Sequence, residues 1–385
     1  MDVPYFRLEL NDSEIDAVVS VLRSGWLTTG KECAAFEQEF AAAVGGDIEA
    51  VAINSNTAGL HLALEAAGIG PGDEVIVPDL TFTATAEVAR YLGAEVVFAD
   101  VLADTLCIDP ERVKCAITDR TKAVIPVHFG GQGADLAGLK SAIASRDIKI
   151  IVDAAHSFPC VNRGVVVGQE DVFATVFSFY ANKTITTGEG GMIVTSDKAV
   201  AQRCRTMRLH GIDRDAFQRF QGHSAGWNYD VVAPGYKYNL TDMAAALGRK
   251  QLSRALEMQR QREAIASQYF RGLQGLALEL PTAHPDTSLH AWHLFPIRLN
   301  QDAPVSREQL EAYLTKNGIG YSLHYTPLHR MSYWKSRYGL SDNQFPISTN
   351  YFERSLSLPI FSSMTTAEVD RVVEVLVSAL GENLP

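Results

Sequence analysis

Val176-Phe177-Ser178-Phe179-Tyr180-Ala181-Asn182-Lys183-Thr184-Ile185-Thr186-Thr187-Gly188-Glu189-Gly190-Gly191 is the stretch on which the reading of this chain turns. It opens as an alternating, aromatic-rich segment with the character of a strand and closes in a glycine-flanked turn, with Lys183 between the two. A lysine at the end of a buried strand costs free energy unless its ammonium is put to use. The strand extends back to Val172, and Gly191–Thr195 reads as its neighbour on the far side of the turn.

Upstream, from Ala50 to Asp153, short β-branched runs alternate with helical patterns, a rhythm that implies crossover units around a mainly parallel sheet. Strands are expected at Val51–Ile53, Glu74–Val77, Glu95–Phe98, Ala123–Val127 and Lys149–Val152. Helices are expected to begin near Thr57, Thr83 and Ala134, with a helical turn after Pro110. With Val172–Phe179 and Gly191–Thr195 this makes seven strands in one sheet. Downstream, the pattern changes to one long helix from about Thr241 to Leu273, and then to a strand at Trp292–Leu299, a helix opening at Ser306, a strand at Gly320–Tyr325 and a last helix from Thr365 or Thr366 to Leu380. Thr365-Thr366-Ala367-Glu368 is a capping signal for that last helix. The expected organisation is a large α/β domain over 1–240, then a linking helix and a smaller C-terminal α/β domain over 241–385. Gly211–Asp230, polar and aromatic, is the longest candidate flap.

The chain has 385 residues, 46% hydrophobic and 21% charged, which fits a soluble globular protein. A formal charge of −11 gives no long-range attraction for nucleic acid or anionic lipid, so an anionic ligand must be held by local donors. Cys33, Cys107, Cys115, Cys160 and Cys204 are odd in number and never spaced C-x-x-C, which argues against a metal site, an iron–sulfur cluster or a disulfide framework. With no basic apolar leader after Met1 and no apolar run of bilayer length, a cytoplasmic location is expected, with no membrane partner.

Asp153 ends the apolar run Ile148–Val152, so its carboxylate projects from the C-terminal edge of a parallel sheet, where α/β proteins place ligands. His156 follows one turn later. Ser55-Asn56-Thr57-Ala58-Gly59 joins the first strand to a helix, leaving the first helical amides and the Thr57 hydroxyl for a phosphate. Ser178 can add a second hydroxyl, and Phe82 can lay a ring over a ligand face. Each residue has a plainer reading: Asp153 as a helix cap, Ser55 as an ordinary N-cap, His156 and Phe82 as core. Together they match what pyridoxal phosphate needs, a lysine for a Schiff base, a carboxylate for the ring nitrogen and helix-start amides for the phosphate. Their order along the chain is that of the fold-type I pyridoxal-phosphate-dependent transferases. No G-x-G-x-x-G follows a strand, which disfavours a nicotinamide oxidoreductase, and no DNA-binding module supports a non-catalytic pyridoxal-binding regulator.

The chain resembles the DegT/DnrJ/EryC1/StrS family of nucleotide-sugar aminotransferases over nearly its whole length. The matching stretches include Ser24–Gly30, Asn54–Gly59, Gly72–Pro78, Val152–His156, Phe177–Phe179 with Lys183, Gly188–Gly191, Gly235–Asp242, His293–Phe295 and His324-Tyr325. Within the family it is most similar to members that aminate C4 of a 4-keto sugar nucleotide, the branch that makes 4-amino-4-deoxy-L-arabinose. The resemblance implies Lys183 as the catalytic lysine, and Asn56, Thr57, Ala58, Phe82, Asp153, His156 and Ser178 around the cofactor. It also implies a homodimer with shared active sites, because the segment Gly235–Asn239 reaches the neighbouring subunit's phosphate in many members. Lys237 stands there where those members carry Asn. Trp26, Tyr321, His324 and Tyr325 are the substrate-side candidates, each also readable as a core residue. Retention of lysine favours transamination over the family's dehydratases. The expected reaction moves an amino group from an amino acid, by family expectation glutamate, to C4 of a nucleotide-linked keto sugar, with a C3 amination or a cyclitol ketone as the alternative.

Overall fold

The structure, a computed structural model, describes residues 1–213, 229–282 and 286–381, and its first two elements are helices. Helix α1 (Asp12–Ser24) starts at a capping box between Asn11 and Glu14 and stops at Gly25, whose φ of 76° suits glycine. Helix α2 is Lys31–Val44. The chain then alternates: β1 (Glu49–Ile53), α3 (Asn56–Ala66), β2 (Glu74–Pro78), α4 (Ala84–Tyr91), β3 (Glu95–Ala99), α5 (Pro110–Ala116), β4 (Thr121–Val124), α6 (Leu136–Ile143) and β5 (Lys149–Asp153). A small hairpin, β6 (Val161–Asn162) and β7 (Val165–Val166), precedes β8 (Ala174–Ser178), β9 (Gly191–Thr195) and α7 (Lys198–Met207).

Seven of these strands form one sheet in the order β1-β9-β8-β5-β4-β2-β3. Only β9 runs against its neighbours, β1 and β8. The two faces are read directly from the strands. Ile150 and Val152 point with Phe177 into a core that includes Phe36, Phe40 and Met192, while Ile151 points with Val176 into another that includes Leu60, Leu62 and Ile193. Helix α3 lies close on that second face because Gly59 has no side chain: a Cβ there would sit 2.5 Å from Val176 Cγ1 and 2.6 Å from Ile53 Cδ1.

After Thr241, which caps it, α8 (Asp242–Leu273) runs for 32 residues. Its first half packs in the sheet's core through Ala245, Ala255 and Met258, and its second half in a separate C-terminal core through Ile265, Tyr269 and Leu273. The C-terminal part contains β10 (Leu278–Glu279), β11 (Thr287–Leu289), β12 (Phe295–Leu299), α9 (Arg307–Lys316), α10 (Ser332–Tyr338), α11 (Pro346–Arg354), β13 (Ser355–Leu358) and α12 (Thr366–Gly381). Capping boxes open α9 at Ser306 and Gln309, and α12 at Thr365 and Glu368. Val3 crosses over to pack in this second core, bridging to Ile319.

All seven expected strands of the large sheet are present, β4 lying at Thr121–Val124 rather than Ala123–Val127. The expected strand at Gly320–Tyr325 is not one. That segment makes a single bridge, Ser322 to Ser357, and the strand beside β12 is β13. The strand expected from Trp292 starts at Phe295, because Trp292 has a φ of 45°. The helix near Ala134 starts at Leu136, where Asp135 accepts from Gly138 N. Of the candidate flap Gly211–Asp230, residues 214–228 lie outside the described residues.

Candidate active site

Two parallel strands end side by side and deliver the first groups of the site. Strand β5 closes on Asp153 and β8 on Ser178, with Asp153 paired to Val176 across the register. Both oxygens of the buried Asp153 carboxylate are engaged: Oδ1 accepts from Asn56 Nδ2 at 3.3 Å and Ala155 N at 3.1 Å, and Oδ2 from Thr85 Oγ1 at 3.0 Å. Thr85 has one proton to give, so its 2.9 Å contact with Thr81 runs from Thr81 to Thr85. Burial nevertheless pushes the Asp153 pKa up, and the hydrogen bonds from Ala155, Thr85 and Asn56 together with the Lys183 charge do not cancel it. A carboxylate so placed could accept from a cationic ring N–H. Asn56 also donates to Val176 O at 3.0 Å, which ties the start of α3 to β8.

Helix α3 begins at Asn56 behind Ser55, whose Oγ accepts from Ala58 N at 3.1 Å. That takes up the Ala58 amide and leaves those of Asn56 and Thr57 at the helix start. Asn56, Thr57 and Ser178 line one cavity of about 460 Å³ with Asp153 and Lys183, and Phe82, His156, His324 and Tyr325 complete its wall. Ala58 sits just behind this lining. Tyr180, Asn182 and Glu189 line it too, from the turn between β8 and β9.

Lys183 is half-buried, and its Nζ lies 3.2 Å from His293 Nε2. Burial lowers its pKa to about 7, opposed by the Asp153 carboxylate and reinforced by the Arg262 guanidinium. The tautomer of His156 follows from its partners. Gly130 N–H can only donate, at 3.3 Å, so Nδ1 carries the lone pair and Nε2–H donates to Tyr325 Oη at 2.9 Å. The Tyr325 proton is then left for another acceptor. Burial, the largest cause, holds His156 well below the ordinary histidine value and so neutral. His324 is held at about 3, again mainly by burial, and its Nδ1 is 2.9 Å from Ser357 Oγ. Phe82, 58% exposed, stands at the mouth with its ring 5.9 Å from that of Tyr325.

Three candidates from the sequence lie elsewhere in the chain. Trp26 Nε1 donates to Thr29 O at 3.2 Å, packed against Gly30 near the cap of α8. Tyr321 packs against the C-terminal core. Lys237 is exposed, its carbonyl accepting from Asn54 Nδ2 at 3.3 Å. Conversely, Thr81, Thr85 and His293 reach the site without having been assigned a role from sequence. Thr81 and Thr85 have i,i+4 spacing just after a strand, and His293 lies in a stretch that matched the family.

A buried strand-end carboxylate, a helix start and hydroxyl beside it, and a lysine of lowered pKa in the same cavity fit pyridoxal phosphate and define a fold-type I transferase dependent on it. Residues 9–377 match the DegT/DnrJ/EryC1/StrS aminotransferase family, and the chain belongs to that family. It is therefore an aminotransferase. It is 42% identical over 377 residues to the spore coat polysaccharide biosynthesis protein SpsC of Bacillus subtilis (strain 168), covering 97% of this chain and 96% of that one. Among solved structures it is similar to Spr1654 of Streptococcus pneumoniae, assigned as a sugar aminotransferase, in its PMP form, with a TM-score of 0.92 and 31% identity over the whole of both chains. DesV of S. venezuelae, solved with a ketimine intermediate, gives a TM-score of 0.88 and 33% identity over 97% of each chain. Among the described residues no helix is long and apolar enough to cross a membrane, and no cluster of His, Cys, Asp or Glu could hold a metal ion.

Proposed function

We propose that this chain transfers the amino group of an amino acid, glutamate foremost, to C4 of a nucleotide-linked 4-keto sugar. The reaction runs in the cytoplasm, in two half-cycles, at sites completed by a second copy of the chain. The observation that carries this reading is the presence in one cavity of a buried carboxylate, Asp153, and a lysine whose pKa is lowered to about 7, Lys183. Bound there, pyridoxal phosphate supplies the electron sink that lets a proton leave the carbon bearing the nitrogen.

The residues of the chain do the remaining work. The start of α3, Thr57 and Ser178 hold the phosphate. Asp153 favours the protonated ring nitrogen. Lys183 Nζ, neutral above pH 7, takes the proton from the donor's α-carbon and later returns one to the carbon that becomes the amine. Phe82, Tyr180 and Tyr325 give the mouth an aromatic rim suited to the faces of a sugar. The sugar itself is supported by the names of the relatives: a polysaccharide biosynthesis protein and an assigned sugar aminotransferase. The second copy is supported by Val231 and Val232, each more than half exposed, on the segment that leads to the exposed Lys237.

The test is amination of a panel of UDP- and dTDP-linked keto sugars with glutamate, the product read by NMR. An amine at C4 is expected. An amine at C3, or no amination of any nucleotide-linked sugar, refutes the substrate. Mixing Lys183→Ala with Lys237→Ala subunits should restore activity if the site is shared; confirmed mixed dimers that stay inactive refute the sharing.

A further inference from the structure

Three buried polar atoms close to Lys183 have no hydrogen-bond partner among the described residues: His293 Nδ1, Asn182 Oδ1 and Arg262 Nε. Only His293 also touches the lysine amine, through Nε2 at 3.2 Å, and it is 6% exposed. We propose that His293 is a positioning residue whose Nε2–H hydrogen-bonds the lone pair of Lys183 Nζ, holding the amine neutral and in place whenever the lysine is not joined to the cofactor. This rests on the proton-transfer role proposed for Lys183.

The contact has two possible senses. If Nζ donated, the imidazole proton would sit on Nδ1 as a buried N–H with no acceptor, the costlier and rarer kind of orphan. If Nε2–H donates, Nδ1 keeps a lone pair and the amine must offer one of its own, so it is uncharged. The groups facing Nζ agree with the second sense. Asp153 on β5 alone favours an ammonium, whereas burial and Arg262 on α8 oppose one. His156 and His324, both held neutral, add no charge. Burial, the largest cause, keeps His293 itself well below the ordinary histidine value, and the Arg262 guanidinium acts in the same direction. The ring is also fixed in direction. It lies 4.5 Å from that of His156, tilted by 40°, and His156 is in turn anchored on Gly130 N.

The experiment labels Lys183 with acetic anhydride across pH in the full-length, cofactor-free chain and reads the labelled peptide by mass spectrometry. In His293→Phe, which keeps a ring but no nitrogen, the labelling midpoint is expected to rise by about half a pH unit or more, because the hydrogen bond to the neutral amine is lost. In the loaded enzyme the same change should lower kcat about tenfold with both KM values within about twofold. His293→Gln, whose amide N–H reaches a similar point, should keep the wild-type midpoint. If the phenylalanine variant does not fold, His293→Leu carries the same expectation. An unchanged or lowered midpoint in a folded donor-free variant overturns the proposal, as does a raised midpoint in His293→Gln. Turnover retained by Lys183→Ala would overturn the parent reading and this proposal with it. An inactive Lys183→Ala beside an unaffected His293→Phe would overturn only this one.

Discussion

The two walls of the cavity are built on opposite principles. On the sheet side, both oxygens of Asp153 are held by donors, and the donors are themselves held: Asn56 by Val176 O, Thr85 by Thr81. On the other side, among the described residues, the Lys183 amine has its hydrogen-bond contact with His293, and His293, Asn182 and Arg262 each keep a buried polar atom without a partner. A satisfied network is rigid and costly to disturb, whereas an unsatisfied one is where charge and partners change during a cycle. On the proposed function, the first wall would hold the ring in a fixed frame and the second would be where protonation changes.

The largest effect should come from the second wall. Lys183→Ala is expected to lower the glutamate half-reaction by roughly 10⁴-fold or more, measured in single turnover, with the fold retained. The same residue should mark the cofactor-free chain thermodynamically. Its folded pKa of about 7 lies below the ordinary lysine value of 10.5, so the folded state binds fewer protons than the unfolded state between those values. The stability of the cofactor-free chain should therefore rise with pH from about 7 to about 10.5, by up to about 5 kcal/mol, and this slope should vanish in Lys183→Ala. A slope unchanged by the substitution would assign the titration to another group.

The next effect tests what holds the walls together. His329, fully buried, gives Asp79 its backbone N–H at 2.9 Å and shares a 2.6 Å contact through Nδ1, and Leu328 N donates to Asp79 O at 2.9 Å. This ties the segment after Tyr325 to the end of β2, just before Thr81 and Phe82. Removing one partner of a buried pair is expensive, so Asp79→Ala should cost roughly 3–5 kcal/mol by denaturant unfolding. A loss under about 1 kcal/mol would mean that packing of Leu328 and Trp334, not the pair, joins the walls.

The smallest effect should come from within the first wall. Thr85→Val keeps the shape of the side chain but removes the hydroxyl, leaving Asp153 Oδ2 without a donor, at about 1–3 kcal/mol. It should also push the carboxyl further upward, since a hydrogen bond to the charged form is lost. Unchanged stability together with unchanged activity would show that the Thr81–Thr85 relay is incidental.

The first wall was far more legible in the sequence than the second. Asp153, Ser178 and the start of α3 are each announced locally, by an apolar run that ends or a serine that begins a helix, and the sheet brings those ends together by its own topology. His293 stands 110 residues from Lys183, and no local pattern states that the two meet. Thr85 was hidden for a related reason, since its hydroxyl serves a carboxylate 68 residues away. The misread strand at Gly320–Tyr325 teaches the same lesson. Its alternation of Tyr321 and Leu323 toward the C-terminal core is real, but strand identity depends on pairing, and the partner of β12 comes from Ser355–Leu358.

Helix α8 has a mechanical consequence. At 1.5 Å per residue its 32 residues make a rod about 48 Å long, embedded at one end among the residues under the sheet and at the other in the C-terminal core. Its two glycines are both wedged: at Gly248 a Cβ would come within 2.7 Å of Phe36 Cζ, and at Gly272 within 2.8 Å of Val373 Cγ1. Swinging one core away from the other would mean breaking this axle. Substrates must therefore enter past side chains and loops at the mouth, and a change at Arg262, about two-thirds along the rod, would free Trp292 O and Ile360 O and remove a charge near Lys183.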